Sequence, residues 1–229
     1  MDRRKKVRKE APPMRLMVIL DNAGLYSGRD GIVDGYERGV TVDIANTSLH
    51  SARPDIVHQC LLALFDSELA SLQQLQVYIS TVKGKTIEVS PSLRPPRTFH
   101  RFKGLMESLL RDGKVVASDG QVLLSVLPGS VAPLIPYGCP VVGLCNSEDS
   151  VVMSAREQAS TAVKHPVKNE LQGGVKNIWG VFCVSCTDDA NAVAGLDYIT
   201  TTRCLSAFPT TPHVLCARLC EGFAQEARS

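Results

Sequence analysis

Short apolar runs that alternate with segments of helical periodicity restrict the fold of this chain more than any other feature. The runs cover residues 15–20, 75–81, 85–89, 122–127, 141–145 and 178–184. Residues 15–20 are almost continuously apolar and include Val18 and Ile19, which is typical of a buried strand. Val82-Lys83-Gly84 separates the second run from the third and predicts a hairpin. Strands that alternate with helices predict an α/β fold with a mostly parallel sheet.

Three segments have the periodicity of amphipathic helices. The first begins at Pro54, a residue suited to the first helical turn, the second covers residues 98–110, and the third covers residues 211–227. Their apolar positions are Ile56, Cys60, Leu61 and Leu64, then Phe99, Phe102, Leu105, Met106 and Leu109, and finally Val214, Leu215, Leu219 and Phe223.

Positive charge is concentrated in two blocks, although the net charge of the chain is only +2. Residues 1–15 carry seven basic and two acidic residues, and residues 83–114 carry eight basic and three acidic ones. Such blocks on a nearly neutral chain indicate a directed anion-binding surface. Residues 1–13 are also poor in apolar side chains, so we expect a disordered basic tail that serves as a solubilising segment, a nuclear address or a contact to RNA phosphate.

A row of arginines crosses the second basic block. Arg97 and Arg101 are four residues apart and share a helix face opposite the apolar one, while Arg94 precedes them on a proline-stiffened approach. Three guanidinium groups held in line suit a grip on phosphates or splayed bases. The alternative is an ordinary solvated helix face.

Residues 51–59 form a second polar cluster. Asp55 falls in the first turn of the predicted helix, where its charge favours the helix dipole. Arg53 is close enough to pair with Asp55 and fix the loop, and His58 is expected to be a structural residue rather than a catalyst.

The eight cysteines lie mostly within apolar runs, and we expect reduced, buried thiols and no metal. Cys183 and Cys186 form a C-x-x-C motif without a matched second pair, so a zinc-dependent or redox protein is a more distant alternative. No apolar run approaches the roughly 20 residues of a membrane span, so we expect a soluble intracellular protein with no membrane partner.

Three stretches of the sequence resemble the nucleolar-essential-protein family of ribosomal RNA pseudouridine N1-methyltransferases in the SPOUT superfamily. They are SARPDIVHQCLLAL at 51–64, LQVYISTVKGKTIE at 75–88 and PSLRPPRTFHRFKGLM at 91–106. The resemblance implies a single SPOUT domain over residues 14–229, with helices on both sheet faces, family-specific insertions, a C-terminal trefoil knot and a homodimer. It also implies S-adenosyl-L-methionine as cofactor, small-subunit ribosomal RNA as substrate, a role in small-subunit biogenesis beside other assembly factors, and a nuclear, nucleolar location.

Family arginines that match Arg53, Arg94, Arg97 and Arg101 grip the RNA, and Asp55 matches an aspartate that supports the first of them. The implied reaction transfers a methyl group to N1 of pseudouridine in a single-stranded or flipped-out base. Arg53 or Arg94 is a suitable donor for the negative charge that spreads to the ring carbonyl. Asp21, at the end of the first predicted strand, is the candidate base.

The last third of the chain departs from the family pattern. Family members usually carry a Gly-Ala-x-x-x-Gly loop after the strand that matches residues 178–184, whereas residues 184–189 read Val-Ser-Cys-Thr-Asp-Asp. We expect cofactor contacts in residues 206–212, which partly match the family's Ser-Asn-Tyr-Pro-Leu-Ser-Ala. We also expect them at strand ends beneath a ligand crevice. The candidates are Leu144, Val184, Leu205, Ser206, Phe208, Pro209 and Thr210. The alternative is a non-catalytic RNA-binding ribosome assembly factor whose cofactor site has degenerated.

Overall fold

The structure is a computed structural model that describes residues 15–29, 31–36, 52–146, 150–164 and 178–228. The predicted tail, residues 1–13, and parts of the expected insertions lie outside the described residues. The strands are β1 Arg15–Ala23, β2 Ser27–Gly28, β3 Gly31–Ile32, β4 Leu75–Thr81, β5 Thr86–Val89, β6 Lys114–Val116, β7 Val122–Leu127, β8 Val141–Leu144, β9 Val151–Val152, β10 Ile178–Ser185 and β11 Thr201–Cys204. The α-helices are α1 Pro54–Phe65, α2 Glu68–Ser71, α3 Phe99–Asp112, α4 Ala155–Lys164 and α5 Pro212–Ala227, and two 3₁₀-helices cover Ala132–Leu134 and Ala190–Gly195.

Nine strands form one sheet in the order β6-β7-β5-β4-β1-β10-β8-β11-β9, and β2 and β3 form a separate hairpin. The six strands from β4 to β9 in this order are parallel to one another, whereas β5, β7 and β6 continue the sheet in antiparallel fashion. The prediction of a mostly parallel α/β sheet is therefore confirmed, as is the β4–β5 hairpin. The carboxyl ends of the parallel strands meet at one edge of the sheet, which is where α/β proteins place their ligands.

The two faces of the sheet pack against different layers. Leu16 and Val18 point to one face, where all five α-helices contribute buried side chains to a single core cluster. Met17 and Ile19 point to the other face, as the period of two in a strand requires. Within the described residues, the second layer contains the two 3₁₀-helices, so helical segments lie on both faces but are longer on the first.

The three predicted helices are present, with small shifts at their ends. Pro54 opens α1, and Gly113, at φ 75°, ends α3 in the left-handed conformation that glycine adopts without strain. Nine elements of the described residues are additional to the sequence prediction, namely β2, β3, β6, β9, β11, α2, α4 and the two 3₁₀-helices. No helix among the described residues combines the length and apolar character required to cross a membrane.

Candidate functional site

A cleft of about 260 Å³ opens at the carboxyl edge of the parallel strands. Three loops form its walls: the one after β8, the one after β10 and the one that leads into α5. The first turn of α1 closes the remaining side. The lining residues are Arg53, Ile56, Gln59, Asn146, Thr187, Asp188, Ala190, Pro209, Thr210, Thr211, Pro212 and His213.

Asn146 holds two of these loops together. Its side-chain amide donates to the carbonyl oxygen of Thr210 at 3.0 Å and accepts the Thr210 N–H at 3.1 Å. Its backbone N–H donates to Oδ1 of Asn191, in the 3₁₀-helix that follows the β10 loop, at 3.0 Å. Through its side chain and its backbone, one residue therefore fixes the relative positions of the segments that form the cleft.

Arg53 is the most constrained charged group in the cleft wall. Its Nε and Nη2 donate to the two carboxylate oxygens of Asp55 at 2.8 and 2.7 Å, and its Nη1 donates to Asp188. Tyr36 lies over the guanidinium, with 4.8 Å between Cζ and the ring centroid. The hydrogen bonds to Asp55 and Asp188 raise the pKa of Arg53 above its usual value, so the guanidinium stays charged. The predicted Arg53–Asp55 pair is present, and Asp188 is an additional partner.

None of the arginines in the row lines the cleft, and Arg94 and Arg97 lie before α3, which begins at Phe99. Arg94, Arg97 and Arg101 are all exposed, and Arg97 Nη1 donates to Asp66 at 2.5 Å. The apolar face of α3 is anchored as predicted, because Phe102, Met106 and Leu109 are buried.

His58 connects α1 to the approach of α3. Its Nε2 donates to the carbonyl oxygen of Pro96 at 2.7 Å, and its ring stacks on Phe102 with 4.7 Å between centroids. The expected structural role of His58 is consistent with this position.

Two of the seven predicted cofactor residues, Pro209 and Thr210, line the cleft. Leu144, Val184 and Leu205 instead enter the core cluster beneath the α-helices. Leu144 and Val184 are register partners on neighbouring strands, so their side chains point to the same covered face.

The remaining two predicted cofactor residues also lie outside the cleft lining. Ser206 Oγ accepts the Phe208 N–H at 3.2 Å, and the Phe208 ring is 77% exposed.

Asp21 does not end the first strand, because β1 continues to Ala23. Its side chain is buried on the second face of the sheet, where it accepts the Tyr198 hydroxyl and, at 2.5 Å, the Asn22 N–H. Burial raises the pKa of Tyr198, so this phenol stays protonated and remains a donor. The structure therefore does not bring Asp21 into the cleft with Arg53.

The C-x-x-C motif does not form a pair of ligands. Cys183 belongs to the core cluster on the second face, whereas Cys186 belongs to the cluster on the first. Burial raises the pKa of Cys183 well above its ordinary value, which disfavours the thiolate. All eight cysteines are buried thiols, and the described part of the chain contains no group of three or more His, Cys, Asp or Glu side chains that could hold a metal ion.

Sequence reasoning missed Asn146, Thr187 and Asp188 as members of the site. One signal was available, since each follows a strand whose carboxyl end lies at the edge where ligands bind in α/β proteins. The pairing of Arg53 with Asp188 had no local signal, because the two residues are 135 positions apart.

Comparison with known proteins gives a consistent result. A family model described as EMG1/NEP1 methyltransferase matches residues 32–224. The chain is 34% identical over 224 residues to the human ribosomal RNA small subunit methyltransferase NEP1, an alignment that covers 92% of this chain and 81% of the relative. The NEP1 of Candida glabrata is 35% identical, with 91% of this chain and 86% of the relative covered. The crystal structure of Archaeoglobus fulgidus Nep1 bound to S-adenosylhomocysteine superimposes with a TM-score of 0.70 at 20% identity, covering 94% of this chain and all of that one.

Proposed function

Because this chain belongs to the EMG1/NEP1 methyltransferase family, we propose that it is an S-adenosyl-L-methionine-dependent methyltransferase that modifies N1 of a pseudouridine in small-subunit ribosomal RNA. Its human and Candida glabrata relatives are named as small-subunit ribosomal RNA methyltransferases. The observation that carries the proposal is a cleft at the carboxyl edge of the sheet whose wall includes Arg53, in a chain that also exposes an arginine row on and before α3.

The residues of the cleft fit an adenosyl ligand such as the S-adenosylhomocysteine of the Archaeoglobus fulgidus structure. The cleft combines apolar surface from Ile56, Pro209 and Pro212 with hydrogen-bonding groups from Asn146 and Thr187. Apolar surface beside polar groups that converge on the same space is typical of cofactor sites.

The altered loop after β10 leaves this cleft open. Val184 and Asp189 stand where the family has its two glycines, and Val184 packs into the core beneath the helices. Neither of these two side chains lines the cleft, whereas Thr187 and Asp188 between them do. The loss of the family's glycines therefore does not fill the site with side chains.

When bound, the cofactor would supply a methyl group on a sulfonium, and the protein would orient the base and stabilise its charge. N1 of pseudouridine is a weak acid, so the base becomes negatively charged as its proton leaves. Arg53 engages three of its five N–H groups with Asp55 and Asp188, which leaves two for an acceptor on the base. A charged donor held in place before the reaction stabilises such charge strongly. Asp21 lies on the second face of the sheet, so this mechanism assigns it no proton.

The exposed arginines supply the grip on the RNA. Arg94, Arg97 and Arg101 present guanidinium groups that can bond phosphates and stack on splayed bases. The target base must leave its stack to reach a cleft of this size, which favours a pseudouridine in a hairpin loop. We also propose a homodimer, a C-terminal trefoil knot, contacts with other small-subunit assembly factors and a nucleolar location, all on the basis of the family resemblance.

Calorimetry with S-adenosylmethionine and S-adenosylhomocysteine tests the cofactor, and mass spectrometry of a pseudouridine-containing hairpin tests the reaction. We expect one ligand per chain with micromolar affinity and a mass gain of one methyl group on the RNA. A hairpin with uridine at the target position is the matched control, because the N1 of uridine carries the glycosidic bond. Binding of the hairpin without any binding of either cofactor form would overturn the proposal in favour of the non-catalytic assembly factor.

A further inference from the structure

Asp188 lies between the two halves of the proposed site. It follows β10 in the loop that lines the cleft, and its side chain is 64% exposed. The same carboxylate accepts a hydrogen bond from Nη1 of Arg53, whose side chain is only 14% exposed. A ligand in the cleft and the arginine that faces the RNA therefore share one carboxylate.

On the basis of the proposed function, we propose that Asp188 is a positioning residue that couples cofactor binding to RNA binding. It does so by exchanging one ion-pair partner, Arg53, for another, the cofactor. In the structure as it stands, Arg53 is flanked by Asp55 and Asp188, so its positive charge is more than balanced. An RNA phosphate must compete with Asp188 for the guanidinium. Asp55 stays in place in this exchange, because it holds Arg53 through two hydrogen bonds.

A cationic ligand changes this balance. S-adenosylmethionine carries a sulfonium, an ammonium and a carboxylate group and is therefore a net cation, and its positive charge in the cleft attracts the Asp188 carboxylate that lines it. The attraction weakens the Arg53–Asp188 pair and frees an N–H of Arg53 for the RNA. Cofactor and RNA therefore bind with positive cooperativity, and by linkage each raises the affinity of the other by the same factor.

The chain offers a matched control for the effect of charge alone. Asp189 is the next residue, is also exposed, and accepts the Asn191 N–H at 2.9 Å. Asparagine at position 189 removes the same charge from the same loop and retains an oxygen acceptor for that cap. A difference between D188N and D189N therefore reports the pair with Arg53 rather than the net charge of the loop.

The test measures the affinity of a fluorescent oligouridylate by anisotropy, with and without saturating S-adenosylmethionine. Uridine cannot be methylated at N1, so the complex does not turn over. We expect the cofactor to tighten RNA binding to the wild-type protein about two- to fivefold, since ion pairs with one exposed partner are weak. Without cofactor, D188N should bind RNA more tightly than the wild type by a similar factor, and cofactor should not raise its RNA affinity further. D189N should respond to cofactor as the wild type does. D188E should restore the coupling between cofactor and RNA binding. Adenosine, which carries neither charge, should produce no gain.

The outcomes separate this inference from the proposed function. If S-adenosylmethionine binds but RNA affinity does not change, or if D188N keeps the wild-type response, the exchange of partners is refuted while the methyltransferase proposal stands. If the cofactor does not bind the wild-type protein at all, both proposals fall.

Discussion

Replacing Gly222 by alanine brings a methyl group against the backbone of α4. A Cβ built at this position of α5 lies 2.5 Å from both the carbonyl carbon and the carbonyl oxygen of Ala155, and 2.9 Å from the Ala155 Cβ. The atoms that it meets include backbone, so they cannot rotate away as a flexible side chain would. Gly104, in the interior of α3, is the matched case, because a Cβ there has no neighbour within 4 Å.

Two effects of opposite sign decide the result. Alanine favours a helix interior by about 0.5–1 kcal/mol over glycine, so G104A should stabilise the protein by about that amount. G222A receives the same benefit but must separate α4 from α5, and overpacking of this kind costs about 1–3 kcal/mol. The helix benefit cancels between the two variants, so they should differ by the overpacking cost of about 1–3 kcal/mol, and the net loss for G222A should reach about 2 kcal/mol.

Thermal unfolding followed by circular dichroism measures this difference. A chain of this size shifts its Tm by about 2–4 °C per kcal/mol, so G222A should melt about 2–12 °C below G104A. Equal melting temperatures for the two variants would show that the α4–α5 contact yields without cost and would refute the close approach of these helices.

Three further predictions concern charges and thiols. Burial alone would raise the pKa of Asp55, but the hydrogen bonds and charge of Arg53 lower this pKa below its ordinary value. The Arg53–Asp55 pair therefore stabilises the fold above about pH 4, and this stabilisation is lost as further acidification protonates the carboxylate. The difference in urea midpoint between wild type and D55N should therefore be constant near neutral pH and shrink below about pH 4, and a difference independent of pH would contradict this. R97A should leave Tm unchanged, because the Arg97–Asp66 pair is exposed. The same variant should reduce the salt dependence of hairpin binding by about one phosphate contact. An unchanged salt slope would show that Arg97 does not contact the RNA. Burial raises the pKa values of Cys60 and Cys183, so iodoacetamide should label neither in the native protein and both in urea, as peptide mass spectrometry can show.

The order of the long elements could be predicted because each has a strong local signal. Residues 75–81 and 122–127 were identified as strands with the bounds that the structure gives, and the start of α1 at Pro54 follows from the preference of proline for the first turn. By contrast, β6, β9 and β11 are short and lie partly exposed, so they lack the apolar continuity that reveals a buried strand. Their pairing depends on neighbours that are distant in the chain.

The candidate site was only half predictable for the same reason. The Arg53–Asp55 pair is two residues apart, and its formation follows from local spacing. The third member, Asp188, reaches Arg53 because the loop after β10 and the start of α1 line the same cleft, a proximity that no single segment of the sequence indicates. The prediction that Leu144 and Val184 face a ligand identified the correct edge of the sheet but not the side of each strand that is covered by helices.

The position of β1 has a consequence for biosynthesis. This strand emerges first among those described, yet it ends in the interior of the sheet, between β4 and β10. Arg15 pairs with Ile178, so roughly 160 residues must be translated before the second edge of β1 finds its partner. At about 5–20 residues per second, the ribosome takes on the order of 10–30 s over this distance. During that time the backbone N–H and C=O groups along one edge of this apolar strand have no strand partner, and such an edge is a template for aggregation. Nascent fragments that stop before β10 should therefore need a chaperone to remain in solution, whereas the complete chain should not.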